Sequence, residues 1–157
     1  LKFLKTIPGG ENASIDRMMN ETATRETFRI KGESTITVND YQNGRKFDDA
    51  LCYSFYPIDL HTKDGVVPKH LKRGVVPTIP RGSLIPKGST NLMVAGRCLS
   101  SDRYANSAAR VQASCMGMGQ AAACTAVLAA KSSVTPKEVP LGEIHALLRE
   151  HGAIVPS

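Results

Sequence analysis

Two side chains that could do acid-base chemistry lie close together in the sequence. Asp59 and His61 are two positions apart. In an extended strand this spacing places both side chains on one face, where an imidazole beside a carboxylate can orient a substrate or move a proton. The competing interpretation is a hydrogen-bonded pair at a sheet edge. We treat both residues as catalytic candidates.

A third catalytic candidate, Arg25, lies upstream with a second arginine, Arg29, four residues later. The two could clamp a carboxylate substrate, because a guanidinium group presents a fork of hydrogen-bond donors. Alternatively, they could form surface ion pairs with Glu26 or Glu33.

Several predicted elements must position these groups. Alternating apolar residues predict a strand over residues 25–36. Thr37 then predicts a helix start, with Asp40 in the first turn and an end near Leu51. Residues 53–60 predict a second strand near a sheet edge or bulge, because Pro57 interrupts it.

In the second half of the chain, glycine and proline residues mark the element boundaries more clearly. Residues 62–90 are rich in Gly and Pro, with short strands predicted at 75–76 and 84–85. The apolar run 91–95 predicts another strand, which Gly96 ends. The apolar face of residues 141–148 predicts a last helix, which ends at Gly152.

Between these two elements, a long helix built from small residues is predicted. Asn106 or Ser107 would cap it, and it would end near Lys131. Arg110 would then lie in the first turn, where a cation opposes the helix dipole. An anionic or electron-rich ligand at the helix start would account for this arginine.

The small residues of this helix allow several interpretations. Ala122, Ala126 and Ala130 share one face and predict close packing against another backbone. The helix is long enough to cross a membrane, but its polar residues disfavour a span. Gly117 and Gly119 fit the pattern G-x-G-x-x-A of a dinucleotide site, which requires a turn at the glycines instead of a helix.

Composition narrows the function classes. Of the 157 residues, 41% are hydrophobic and 22% charged, as in a globular protein. The net charge is +6, but the 5% of aromatic residues do not interleave with the basic ones, which disfavours nucleic-acid binding. The four cysteines form no C-x-x-C pair, so neither a metal site nor a dithiol motif is predicted. Because the chain begins at Leu1, we expect it to be a piece of a longer protein.

Four motifs together resemble a known family. Residues 91–100 read N-L-M-V-A-G-R-C-L-S, and residues 110–111 read R-V. Residues 115–122 read C-M-G-M-G-Q-A-A, and the upstream motifs are R-E-T-F-R-I-K-G at 25–32 and Y-P-I-D-L-H at 56–61. This order resembles the C-terminal portion of FAD-dependent oxidoreductases of the two-dinucleotide-fold, fumarate-reductase-like kind, over about residues 20 to 155.

The resemblance implies a fold and a function. The fold class would be α/β, as an α+β fragment with the closing strand and helices of a Rossmann-like FAD domain over 89–157. Residues 1–88 would be the end of a β-rich substrate or cap region. The enzyme would transfer a hydride between flavin N5 and an unknown small organic substrate. The expected FAD contacts are Ala95, Gly96, Arg97, Ser100, Ser101, Asn106, Arg110 and Val111.

Three positions depart from the family pattern. Phe28 stands where a second arginine is usual, Ala123 replaces a glycine, and Arg81-Gly82 shifts or removes an arginine. These differences affect the substrate contacts more than the flavin contacts.

The N-terminal dinucleotide motif of the family is also missing from this sequence. The missing N-terminal FAD-binding half is therefore an expected partner, and the isolated chain is expected to be inactive. The alternative function is a non-catalytic basic module that binds anions or nucleic acid.

Overall fold

The computed structural model describes residues 1–20, 24–63, 65–66 and 68–157. Two antiparallel strand pairs are surrounded by helices, and within the described residues no other sheet is formed. The elements are α1 Val38–Gln42, β1 Ala50–Tyr53, β2 His61–Thr62, β3 Gly65–Val66, β4 Thr78–Pro80, α2 Arg103–Ala109, α3 Gln112–Ser132 and α4 Leu141–Glu150. The strand β1 pairs with β4, and β2 pairs with β3. This architecture is α+β, which confirms that part of the predicted fold class.

The first helix starts as predicted but ends early. Thr37 accepts a hydrogen bond from the Asp40 amide, and the Asp40 side chain accepts one from the Thr37 amide. The prediction that α1 reaches Leu51 is wrong, because the chain turns at Gly44 with φ +63°. Residues 50–53 instead form β1, where pairing with β4 satisfies the backbone while the side chains are buried.

Three predicted strands are absent or displaced. Residues 25–36 form only isolated bridges, from Gly32 to Pro86 and from Ile36 to Ser101. In the region predicted as the strand 53–60, β1 ends at Tyr53, and Ile58 forms an isolated antiparallel bridge with Lys69. Residues 91–95 form no strand, because no neighbouring strand lies beside them in the described part of the chain.

The short strands predicted at 75–76 and 84–85 are also wrong. The strand in that region is β4, two residues further along. Leu84 ends a short 3-10 helix, Arg81–Leu84. Proline and glycine spacing identified this region as irregular, but the strand position depended on the partner β1.

Gly32 lies where the 25–36 segment passes very close to two other parts of the backbone. A Cβ atom on Gly32 would lie 2.7 Å from both the Gly82 carbonyl oxygen and the Ser100 Cβ. Only glycine therefore fits where the 25–36 segment crosses residues 82 and 100.

The long helix α3 packs one face against β1 and α4. That face carries Ser114, Met118, Ala121, Cys124, Thr125 and Ala129. The predicted packing face is wrong, because Ala126 and Ala130 are exposed. The helix ends at Ser132, as predicted to within a residue, and α4 ends before Gly152, whose φ is +75°.

By length and composition α3 could cross a membrane, and 33% of its most apolar window is buried. The buried face against β1 and α4 is also what a core helix of a soluble protein shows. A single helix of this kind is weak evidence for a membrane span. That α3 does not cross a membrane therefore stays a prediction.

The buried core is continuous across the predicted domain boundary. Ile36, Leu51 and Ile79 belong to the same cluster as Leu99 and Met118. The division at residue 88 stays a prediction about the whole protein.

Candidate functional site

The three predicted catalytic residues lie together. The Arg25 NH2 atom is 2.9 Å from His61 Nε2, although the two residues are 36 positions apart. The Asp59 Oδ1 atom is 3.7 Å from the same nitrogen. Tertiary structure thus joins the two motifs that the sequence offered separately.

The Arg25 contact favours one tautomer of the imidazole. A guanidinium group only donates hydrogen bonds, so this contact is a hydrogen bond only in the tautomer in which His61 Nε2 accepts and the ring proton lies on Nδ1. An ion pair between His61 and Asp59 would require a proton on Nε2 instead. The two contacts exclude each other, and the 2.9 Å arginine bond is the better formed.

Arg110 lies beneath this cluster, and its side chain is 6% exposed. Its NH2 group donates to the Asp59 carbonyl oxygen at 3.3 Å. Its NH1 atom is 3.2 Å from Glu26 Oε1. The distance makes this an ion pair, but its angles do not meet hydrogen-bond criteria, and Oε1 has no hydrogen-bond partner among the described residues.

The predicted place of Arg110 in the first turn of a helix is wrong. One helix was predicted from Asn106, but the chain forms two, α2 and α3, and Arg110 is the C-cap of α2. A cation at a helix C-terminus is favourable for the dipole. Asp102, not Asn106 or Ser107, caps α2 by accepting from the Ala105 amide.

Asn106 and Ser107 have other partners. The Asn106 amide group donates to the Arg97 carbonyl oxygen at 3.1 Å and to Ser101 Oγ at 3.2 Å. Ser107 donates to the Tyr104 carbonyl oxygen at 2.7 Å. Asn106 therefore stabilises the loop before α2, and Ser107 Oγ, which accepts from the Asp59 amide at 3.2 Å, links α2 to the segment that carries Asp59.

The start of α3, unlike that of α2, has no side-chain cap. Val111 is its N-cap residue and makes no side-chain cap, and the first turn contains no acidic residue. Gln112 and Ala113 are exposed, and in the described part of the chain no group accepts from their amides. These amides leave a local positive charge free at the surface.

Gly96 and Arg97 lie beside this helix start. Gly96 has φ +88°, and a Cβ atom there would lie 3.7 Å from Cys115 Sγ in the first turn of α3. Burial raises the pKa of the Cys115 thiol, against the opposing effect of the Arg97 charge. The loop thus approaches α3 closely while the Arg97 side chain remains exposed.

Ser100 and Ser101 are buried and internally bonded. The hydroxyl groups of Ser100 and Thr35 are 2.9 Å apart, and Ser101 accepts from Asn106. Ala95 is half-buried and its carbonyl oxygen accepts from Cys98 Sγ at 3.6 Å. The predicted cofactor residues therefore divide into the exposed Arg97 with the half-buried Val111, and an internal part that holds the loop.

The cluster has two further members. The sequence offered Glu26 only as an ion-pair partner for Arg25 or Arg29, and it did not single out Arg103. Both Nε and NH2 of Arg103 lie 3.0 Å from Glu26 Oε2. Arg103 and Arg110 are seven residues apart, which places them on one helix face. That spacing was the signal available in the sequence.

The glycine motif does not form a nucleotide-binding turn. Gly117 and Gly119 both lie inside α3. A Cβ atom on Gly117 would be 3.6 Å from the Cβ of Cys52 in β1, whereas Gly119 faces open space. Gly117 thus packs against the sheet, and the dinucleotide interpretation lacks the turn it needs.

Within the described ranges, no three His, Cys, Asp or Glu side chains are grouped to hold a metal ion.

The comparisons with known proteins identify the class. A family model described as FAD dependent oxidoreductase matches residues 1–148. Searches of the curated proteins and of the solved structures gave no match. The chain belongs to the FAD dependent oxidoreductase family, which confirms the resemblance found in the sequence.

The residues at the α3 start fit such a cofactor. An uncapped helix N-terminus without acidic side chains suits an electron-rich group. Gly96 itself is buried against Cys115, so the exposed groups beside the helix start are the Arg97 side chain and residues 112 and 113.

Proposed function

We propose that this chain is the C-terminal part of an enzyme that transfers a hydride between FAD and a small organic substrate. FAD, when bound, supplies a hydride acceptor or donor at its N5 atom. The amides at the start of α3, with Gly96 and Arg97, would hold the electron-rich pyrimidine edge of the flavin. Family membership supports the cofactor, and the uncapped helix start supports its place.

One observation carries the assignment of the substrate side. Arg25 and His61 come from separate motifs and meet at 2.9 Å. Their side chains are near the surface, with His61 47% exposed, so a substrate can reach them. Arg110 connects this cluster to the α2–α3 junction, where the flavin is proposed to bind.

The cluster can bind a carboxylate and move a proton. Arg25 would turn from His61 to the substrate carboxylate, which frees the Nε2 lone pair. His61 Nε2 can then accept a proton from the substrate. Asp59, 3.7 Å away, would stabilise the resulting imidazolium.

The ADP half of FAD requires further protein. The G-x-G-x-x-A pattern of this chain lies inside α3 and does not supply a phosphate-binding turn. We therefore assign that role to a separate N-terminal half, with residues 1–88 closing the substrate region and 89–157 completing the FAD domain. The isolated chain would then be inactive.

The visible absorption spectrum tests this function. Protein that includes the N-terminal half should retain a stoichiometric flavin band after desalting with FAD. The H61N and R25M variants should keep this band and lose turnover, because they alter only the substrate side. A folded protein without a flavin band would contradict the assignment.

No finding supports the alternative of a basic module that binds anions or nucleic acid.

A further inference from the structure

The two arginines on one face of α2 converge on a single carboxylate. Arg103 and Arg110 lie two turns apart, a rise of about 10 Å, and both pair with Glu26. Glu26 thus spans the helix face and fixes the 24–31 segment to α2.

The position of the 24–31 segment determines where the Arg25 side chain lies relative to His61. Arg25 precedes Glu26 directly, and its guanidinium group reaches His61. On the other side, Arg110 donates to the Asp59 carbonyl oxygen, two residues before His61. Glu26 and Arg110 therefore tie together the two backbone segments that carry Arg25 and His61.

We propose that Glu26 is a positioning residue that holds Arg25 against His61 and so keeps the imidazole proton on Nδ1. This inference rests on the proposed function in taking Arg25 and His61 as the substrate-side pair. Glu26 itself does not contact the imidazole, and it acts through Arg110 and through its chain neighbour.

The chain contains a matched comparison for this carboxylate. Glu33 pairs with Lys137 at 3.0 Å, and its side chain is 28% exposed against 27% for Glu26. Removing either charge changes the net charge equally. Only Glu26 is connected to the His61 cluster.

Nitrogen-15 NMR of the histidine side chains tests the proposal in the full protein, with and without FAD. His61 is assigned from its absence in H61N. The wild type should show a single Nδ1–H tautomer. E26Q should show a mixture with Nε2–H, R25M should lose the preference altogether, and E33Q should match the wild type.

A merely structural role would lower stability without changing the tautomer of the folded molecules. E26Q that retains pure Nδ1–H would therefore overturn the proposal. If E26Q does not fold, R103M is the second variant, because it removes one partner of Glu26 and leaves Arg110 paired. It should give a partial mixture, and an unchanged tautomer there would also overturn the proposal.

The measurement does not depend on flavin. A missing flavin band with the expected tautomer shift would defeat the proposed function alone. A flavin band with no tautomer shift would defeat the positioning role alone.

Discussion

The helices α2 and α3 follow one another in the chain but begin in opposite ways. At the start of α2, Asp102 accepts from the Ala105 amide and also from the Val38 amide. At the start of α3, the Val111 side chain provides no acceptor. The protein therefore satisfies one helix start with its own carboxylate and leaves the other available. The difference indicates which start can receive an electron-rich group.

The largest effect should come from the residue between the two helices. R110M removes a buried cation and leaves Glu26 with Arg103 as its only remaining ion-pair partner among the described residues. Breaking such a pair costs about 3 kcal/mol, so the free energy of unfolding in denaturant should fall by that amount. The double variant E26Q/R110M should recover part of the loss. A loss below about 0.5 kcal/mol would place Arg110 among weak surface pairs.

The capped start of α2 should be the next most sensitive. D102A removes the helix cap and the acceptor for the Val38 amide, at a cost of about 2 kcal/mol in unfolding free energy. D102N keeps an acceptor oxygen and should lose less. Equal losses in the two variants, measured by urea unfolding, would show that the charge matters more than the cap.

The uncapped start of α3 should respond in the opposite direction. V111D supplies the missing acceptor and should stabilise the flavin-free protein by about 1 kcal/mol. It should also weaken FAD binding about tenfold, because a carboxylate then occupies the helix start.

V111S is the matched control, since it caps without charge. Calorimetric titration with FAD measures both variants. Unchanged FAD affinity in V111D would place the flavin elsewhere.

The start of α1 offers the smallest and most pH-dependent effect. Burial alone would raise the pKa of Asp40, but hydrogen bonds from Thr37 and Arg45 outweigh it and hold the pKa below its ordinary value. A lowered folded-state pKa contributes stability above the unfolded value of about 3.9, which is lost as the pH falls through the folded pKa.

D40N should therefore cost on the order of 0.5 kcal/mol at neutral pH and nothing in strong acid. Thermal unfolding across that range measures the difference. An equal loss of stability at neutral pH and in strong acid would show that the effect comes from altered hydrogen-bond geometry and not from the charge of Asp40.

Local sequence signals correctly predicted those helix ends that depend only on residues nearby in the chain. Thr37 and Asp40 identified the start of α1, and Gly152 the end of α4, because caps and left-handed turns are local chemistry. The strands predicted at 25–36 and 91–95 failed for the opposite reason. A strand exists only beside a partner, and alternation of apolar residues does not show whether one is present.

The sequence also gave no local signal for the break between α2 and α3. Residues 103 to 132 contain no proline, and the small residues favour one continuous helix. The backbone becomes extended at Val111, with ψ 154°. Arg110 just before it pairs with Glu26 and donates to the Asp59 carbonyl oxygen, which lie 84 and 51 positions earlier in the chain. The break therefore coincides with contacts to residues distant in the chain, which the local sequence does not reveal.

The sequence by itself determined the family, whose description implies FAD dependence, and it supplied the candidate site residues. Motif order is a one-dimensional property, and the match over residues 1–148 agrees with it. Only the tertiary structure decided that Arg25 meets His61, that Glu26 joins two arginines, and that the free helix start belongs to α3. Each of these depends on contacts between residues distant in the chain, where burial and charge pairing outweigh local preference.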